Sequence, residues 1–124
     1  MRDVLLVGLG GMAGSILRYA VSTISQGGDK ILGVAPGTLT VNIVGSLLLG
    51  LVLGISESEE ITSSALRPLL ITGFLGGFTT FSAFGGETVT LLRQGALMPG
   101  IVYILLHIVV GIGAVWAGLR IGGA

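Results

Sequence analysis

The chain has 124 residues, 52% apolar and 10% charged, with 23 glycines, one histidine and no cysteine, and a mean hydropathy of +1.01. Soluble domains carry roughly 25% charged residues, so this composition falls short of what a water-facing surface requires and points to a small membrane protein. Six Lys/Arg balance six Asp/Glu, which removes the basic field that nucleic acid needs, while the missing cysteine and lone histidine exclude disulfide frameworks, thiol nucleophiles and tetrahedral zinc sites.

A spanning helix needs about 20 largely apolar residues. Ile31 to Ser56 and Gln94 to Leu119 carry no charge, and neither do Pro68 to Gly86 and Val4 to Leu17, the last extending past Arg18 to Ser25. The pattern predicts one all-α transmembrane domain over 1–124, with four helices at residues 4–25, 33–55, 66–93 and 97–121. The connections hold the polar signals Gln26-Gly27-Gly28-Asp29-Lys30, Ser56-Glu57-Ser58-Glu59-Glu60 with Arg67-Pro68, and Arg93-Gln94-Gly95 with Met98-Pro99-Gly100. Such short loops make successive helices antiparallel neighbours. Arg2 before an apolar stretch also fits a secretory signal peptide, but the segment's glycines and Arg18 favour a retained first span.

Lys/Arg asymmetry normally sets orientation. Here Arg2, Arg67 and Arg120 fall on the side of the termini, Lys30 and Arg93 on the other, and Arg18 between them. This near balance allows insertion in both orientations, and hence an antiparallel pair of identical subunits. Four helices without an internal repeat are a thin scaffold for enclosing a polar pathway, which favours a homodimer.

Within the first segment, Val4-Leu5-Leu6-Val7 followed by Gly8-Leu9-Gly10-Gly11-Met12-Ala13 matches a strand plus G-x-G-x-x-[GA], with Asp29 about 20 residues further on, as a dinucleotide site would want. Asp29, however, follows the turn Ser25-Gln26-Gly27-Gly28 rather than a strand, and the later uncharged runs exceed any ordinary strand. Gly10 and Gly14 at i, i+4 serve better as a close-approach face for another helix.

The third segment reads Gly73-Phe74-Leu75-Gly76-Gly77-Phe78-Thr79-Thr80-Phe81-Ser82-Ala83-Phe84-Gly85-Gly86-Glu87. Its glycines and paired threonines are poor helix formers and predict a break in the middle, with a kinked packing helix as the alternative. Backbone groups freed inside hydrocarbon must be satisfied by protein, water or an ion. All four phenylalanines lie here, at 74, 78, 81 and 84. At that spacing packing is their commoner role; positive ring edges facing an anion are the functional one.

Thr38, Asn42 and Ser46 share a face of the second helix and offer hydroxyl and amide donors, or interhelical glue. Tyr103, His107 and Gly111 repeat the spacing in the fourth. Glu87 and Arg18 are ionisable groups at or near membrane depth, where cost makes function or pairing the default reading.

Gly10-Gly11 with Gly14 and Arg18-Tyr19, Gly37-Thr38-Leu39-Thr40-Val41-Asn42 with Gly45-Ser46, and Gly73 through Phe84 closely resemble the Fluc/CrcB fluoride channels of microbes, along essentially the whole chain. The resemblance implies an antiparallel dual-topology homodimer in a prokaryotic inner or plasma membrane, with a broken third helix, two pores, and a structural Na+ on the two-fold axis held by main-chain carbonyls of Gly76 and Thr79. It also assigns the phenyl edges that meet fluoride to Phe81 and Phe84, the pore asparagine to Asn42, and the polar track to Thr38, Ser82, Tyr103 and His107. Glu87 matches the third-helix glutamate and Arg18 the vestibule arginine. Ala83 departs from the Phe-Ser-Thr-Phe pattern, and Gly111 stands where hydroxyl residues often occur.

The implied role is passive escape of cytoplasmic fluoride, with no enzyme chemistry, the partners being fluoride, the lipid bilayer and a second copy of the chain. A proton-coupled fluoride exporter using Glu87 and a non-transporting helical scaffold are the rival readings.

Overall fold

The computed structural model describes residues 1–58 and 65–123. Four helices in it are long and apolar enough to cross a membrane: α1 (Arg2–Gln26), α2 (Gly37–Ser58), α3 (Arg67–Arg93) and α4 (Leu97–Gly122). Ser56 to Ser58, expected in a connection, continue α2, because no glycine or proline stops the helix there. Glu59 and Glu60 of that acidic connection lie outside the described residues.

Between α1 and α2 the chain turns through Ile31–Val34, whose ends exchange backbone hydrogen bonds of 2.9 and 3.1 Å. The two central residues, Leu32 (φ 56°) and Gly33 (φ 91°), are left-handed, as a tight primed turn demands; glycine suits that position and leucine is a rare occupant of it.

Two helix pairs make most of the packing, α1 against the N-terminal part of α3 and α2 against the C-terminal part of α4. Hydrocarbon supplies no hydrophobic drive between helices, so close backbone approach must carry association. Glycines permit it from both sides. A methyl group at Gly73 would come 2.8 Å from the Val7 carbonyl oxygen, and at Gly77 2.6 Å from that of Gly11, while at Gly10 and Gly14 it would overlap the Leu69 and Phe74 carbonyls. Gly50 and Gly118 stand in the same relation to Val115 and Leu47 across the second pair.

The two halves of α3 differ. Arg67–Leu75 is π-helical, with Pro68 in its first turn, and runs into Gly76–Phe78. Thr79 (φ −85°, ψ 158°) and Thr80 (φ −150°, ψ 118°) are then extended before the helix resumes at Phe81–Arg93. In α4, a second π-helical stretch covers Leu106–Val110 and places His107 within it. Single π turns widen the helix and re-aim side chains, and they concentrate at functional positions.

Replacing Gly118 by valine should force α2 and α4 apart, costing about 1–3 kcal/mol or more, read as an earlier loss of helical circular dichroism on heating in detergent. Gly8, where an added methyl meets nothing within 4 Å, should accept alanine with a change of about 0.5 kcal/mol or less.

Candidate functional site

Two consecutive extended residues inside a spanning segment leave backbone groups without helical partners, and in hydrocarbon each such group costs several kcal/mol unless something pairs with it. Asn42 of α2 supplies the pairing at Thr80. Its Nδ2 donates to the Thr80 carbonyl at 3.0 Å, and its Oδ1 accepts from the Thr80 N–H at 2.8 Å. The primary amide thereby imitates a strand neighbour. Asparagine is the shortest side chain carrying both a donor and an acceptor in one plane.

Neighbouring groups complete the arrangement. The Thr79 hydroxyl and N–H both donate to the Leu75 carbonyl, at 2.9 and 3.0 Å, and the Thr80 hydroxyl caps the resumed helix by accepting from the Ala83 N–H at 3.2 Å. Arg18 Nε donates to the Gly77 carbonyl at 3.0 Å. Among the described residues, the carbonyls of Gly76 and Thr79 accept no hydrogen bond.

Beside this interruption lies a cavity of about 440 Å³, bounded in part by Asn42, Ser46, Thr80, Phe81, Phe84 and His107, with Gly76 and Thr79 also on its wall. Phe81 and Phe84 meet edge to face, with centroids 5.5 Å apart. Phe84 in turn lies 4.3 Å from the His107 ring. Phe81 is 81% exposed in the single chain, so one side of the cavity is left open.

Thr38, Glu87 and Tyr103 form a separate polar cluster. Thr38 Oγ1 donates to Glu87 Oε1 at 2.7 Å, and the Tyr103 hydroxyl donates to Glu87 Oε2 in a short contact. Thr38 and Tyr103 are buried, so the carboxyl group is held by two internal donors, as an ionisable group at membrane depth requires. His107 links the cluster to the cavity: its Nδ1 lies 3.0 Å from the Tyr103 carbonyl and its ring packs edge-on against Tyr103 at 4.5 Å.

The residues singled out from sequence therefore divide. Asn42, Phe81, Phe84, His107, Gly76 and Thr79 share the cavity wall. Thr38, Glu87 and Tyr103 join one another behind His107. Ser82 is exposed and pairs with the Thr80 hydroxyl at 3.2 Å, and Arg18 engages the N-terminal part of α3. Ser46, which also lines the cavity, was absent from the site residues the resemblance supplied; its place four residues after Asn42 was the available signal.

Asn42→Ala should expose both the N–H and the carbonyl of Thr80, at about 1–3 kcal/mol for each orphaned group. Chemical unfolding in micelles should show a lowered midpoint for this variant, larger than that for Ser82→Ala.

Residues 5–119 match the family described as CrcB-like protein, Camphor Resistance (CrcB). The chain is 44% identical over 124 residues to a fluoride-specific ion channel FluC of Allorhizobium ampelinum, covering 98% of this chain and 97% of the relative. It is 42% identical over 121 residues to a protein of the same name in Methylobacillus flagellatus, with 98% and 94% covered. A third relative so named, from Flavobacterium psychrophilum, is 38% identical over 122 residues, with 98% and 97% covered. With near-complete coverage on both sides and four spans of membrane-crossing length, the chain is a multi-pass membrane protein that belongs to the CrcB-like family.

Proposed function

We propose that this protein is a passive fluoride channel. The observation that carries the reading is a cavity inside the spanning region whose wall combines an amide, hydroxyls and two phenyl rings, beside the extended residues Thr79 and Thr80. The relatives' names agree with it. Fluoride is small and tightly hydrated, so a pathway must replace its water shell with short donors, while a narrow bore rejects larger halides. Ring edges carry partial positive charge and bring no bulk water with them. Hydrogen fluoride enters cells as a neutral acid and dissociates inside; an open path for the anion lowers the internal concentration without energy input.

The finer architecture belongs to the same reading. Two antiparallel copies form the working unit, each closing the open side of the other's cavity. The exposure of Phe81 and of Gly76 supports this, since both would otherwise face lipid beside a polar cavity. The third span acts as a broken helix, with its interruption facing the partner. The Gly76 and Thr79 carbonyls suit a hard cation by the chemistry of their oxygens and by their unspent acceptor capacity. They would hold Na+, which supplies a fixed positive charge in a region of low dielectric. Asn42 holds the interruption open, Phe81 and Phe84 contact the anion, and Thr38, Glu87 and Tyr103 support His107 from behind.

Liposomes loaded with potassium fluoride and reconstituted with the protein should release fluoride, read by electrode, once valinomycin opens a potassium path. Phe81→Ile and Phe84→Ile keep bulk and remove the quadrupole; each should cut that release by about tenfold or more while the assembly still elutes intact. Release only under an imposed proton gradient would make the protein a coupled exporter instead. Sodium should be slow to leave, and exhaustive dialysis into a large organic cation should lower both the flux and the thermal stability, with recovery on adding Na+.

A further inference from the structure

Arg120, in the last turn of α4, is a cation that the fold leaves unspent. Its guanidinium carbon lies 5.2 Å from the centroid of the Trp116 ring, a cation–π contact that fixes where the charge sits and offers it no acceptor. Among the described residues its side chain makes no hydrogen bond or ion pair, so the N–H donors of its planar fork remain available. Trp116 and Arg120 are both exposed.

Their direction follows from the seam beside them. Each stands two residues from Gly118, which presses on the α2 backbone at Leu47 and Leu51. At about 100° per residue, both therefore project from the side of α4 opposite α2, whose last turn carries Glu57. Ile112, Val109 and Leu105 continue the exposed side of α4 from Trp116 toward the middle of the span. From Trp116 to Leu105 the helix rises about 15 Å, half of the roughly 30 Å hydrocarbon core. The ring then sits at the level where tryptophan marks the membrane interface, and Arg120, one turn further out, lies among the headgroups.

We propose that Arg120 and Trp116 form a binding site for an anionic phospholipid, with the guanidinium donating to the headgroup phosphate and an acyl chain lying along Ile112, Val109 and Leu105. Arginine matches phosphate with paired donors, and the apolar run has the length of one leaflet's chains. A free phosphate would meet the fork and leave the run unused. A zwitterionic lipid would bring its own cation beside Arg120, so the site discriminates by headgroup charge. The site is independent of what the cavity passes.

Trp116 is the chain's one tryptophan, so its fluorescence reports on this position alone. The full chain is placed in bilayers of phosphatidylglycerol and phosphatidylcholine in which one or the other lipid carries brominated acyl chains, which quench a ring they touch. Quenching should favour phosphatidylglycerol by about fivefold in relative binding. Arg120→Gln should bring that preference to about one, while Arg93→Gln, at the end of α3 and on the opposite side of the membrane, should leave it unchanged. Equal quenching by the two lipids in the wild type overturns the inference. Retention of the preference in Arg120→Gln assigns it to other cations, and its loss in Arg93→Gln assigns it to net charge; either overturns the site. Absence of quenching by both lipids shows this side of α4 covered by protein and overturns it as well. Fluoride release from the same bilayers tests the channel reading separately.

Discussion

The obligation to satisfy backbone polar groups where water is absent governs this protein. A continuous helix meets it automatically. At Thr79 and Thr80 the third span gives up that solution, and the debt falls on particular side chains: Asn42 takes both groups of Thr80, Arg18 takes the Gly77 carbonyl, and the Thr80 hydroxyl caps the helix that follows. Two spanning helices are thus tied to the interruption by polar bonds that lipid cannot replace.

The glycine faces answer a different requirement. Because lipid tails are as apolar as leucine, helices of this kind gain little by hiding side chains from their surroundings and gain chiefly from contact. Gly10 and Gly14 against Gly73 and Gly77, and Gly50 and Gly54 against Gly118 and Gly122, bring main chains together closely enough that no larger residue fits. Those seams fix the depth and rotation at which α1 and α2 present Arg18 and Asn42, so packing and the polar ties at the interruption depend on each other.

Behind the cavity, polarity is arranged in order. Glu87 is held by Thr38 and Tyr103, the Tyr103 carbonyl orients His107, and the ring of His107 rests on Phe84. Each member fixes the next, which leaves the groups at the cavity wall few alternative positions. Such preorganisation matters most for a small anion, whose lost hydration can be offset only by donors already in place.

Sequence alone determined the membrane class and the number of spans, because charge exclusion from hydrocarbon acts locally. Identical local chemistry left Asn42 equally suited to interhelical bonding or to the pathway, and the tertiary structure pairs its amide with Thr80 and also places the residue on the cavity wall. Likewise, Thr38 and Tyr103 read as free donors along helical faces, whereas the fold spends both hydroxyls on Glu87. In each case the deciding quantity is which hydrogen-bonding groups a partner helix brings within about 3 Å, and no single helix contains that information.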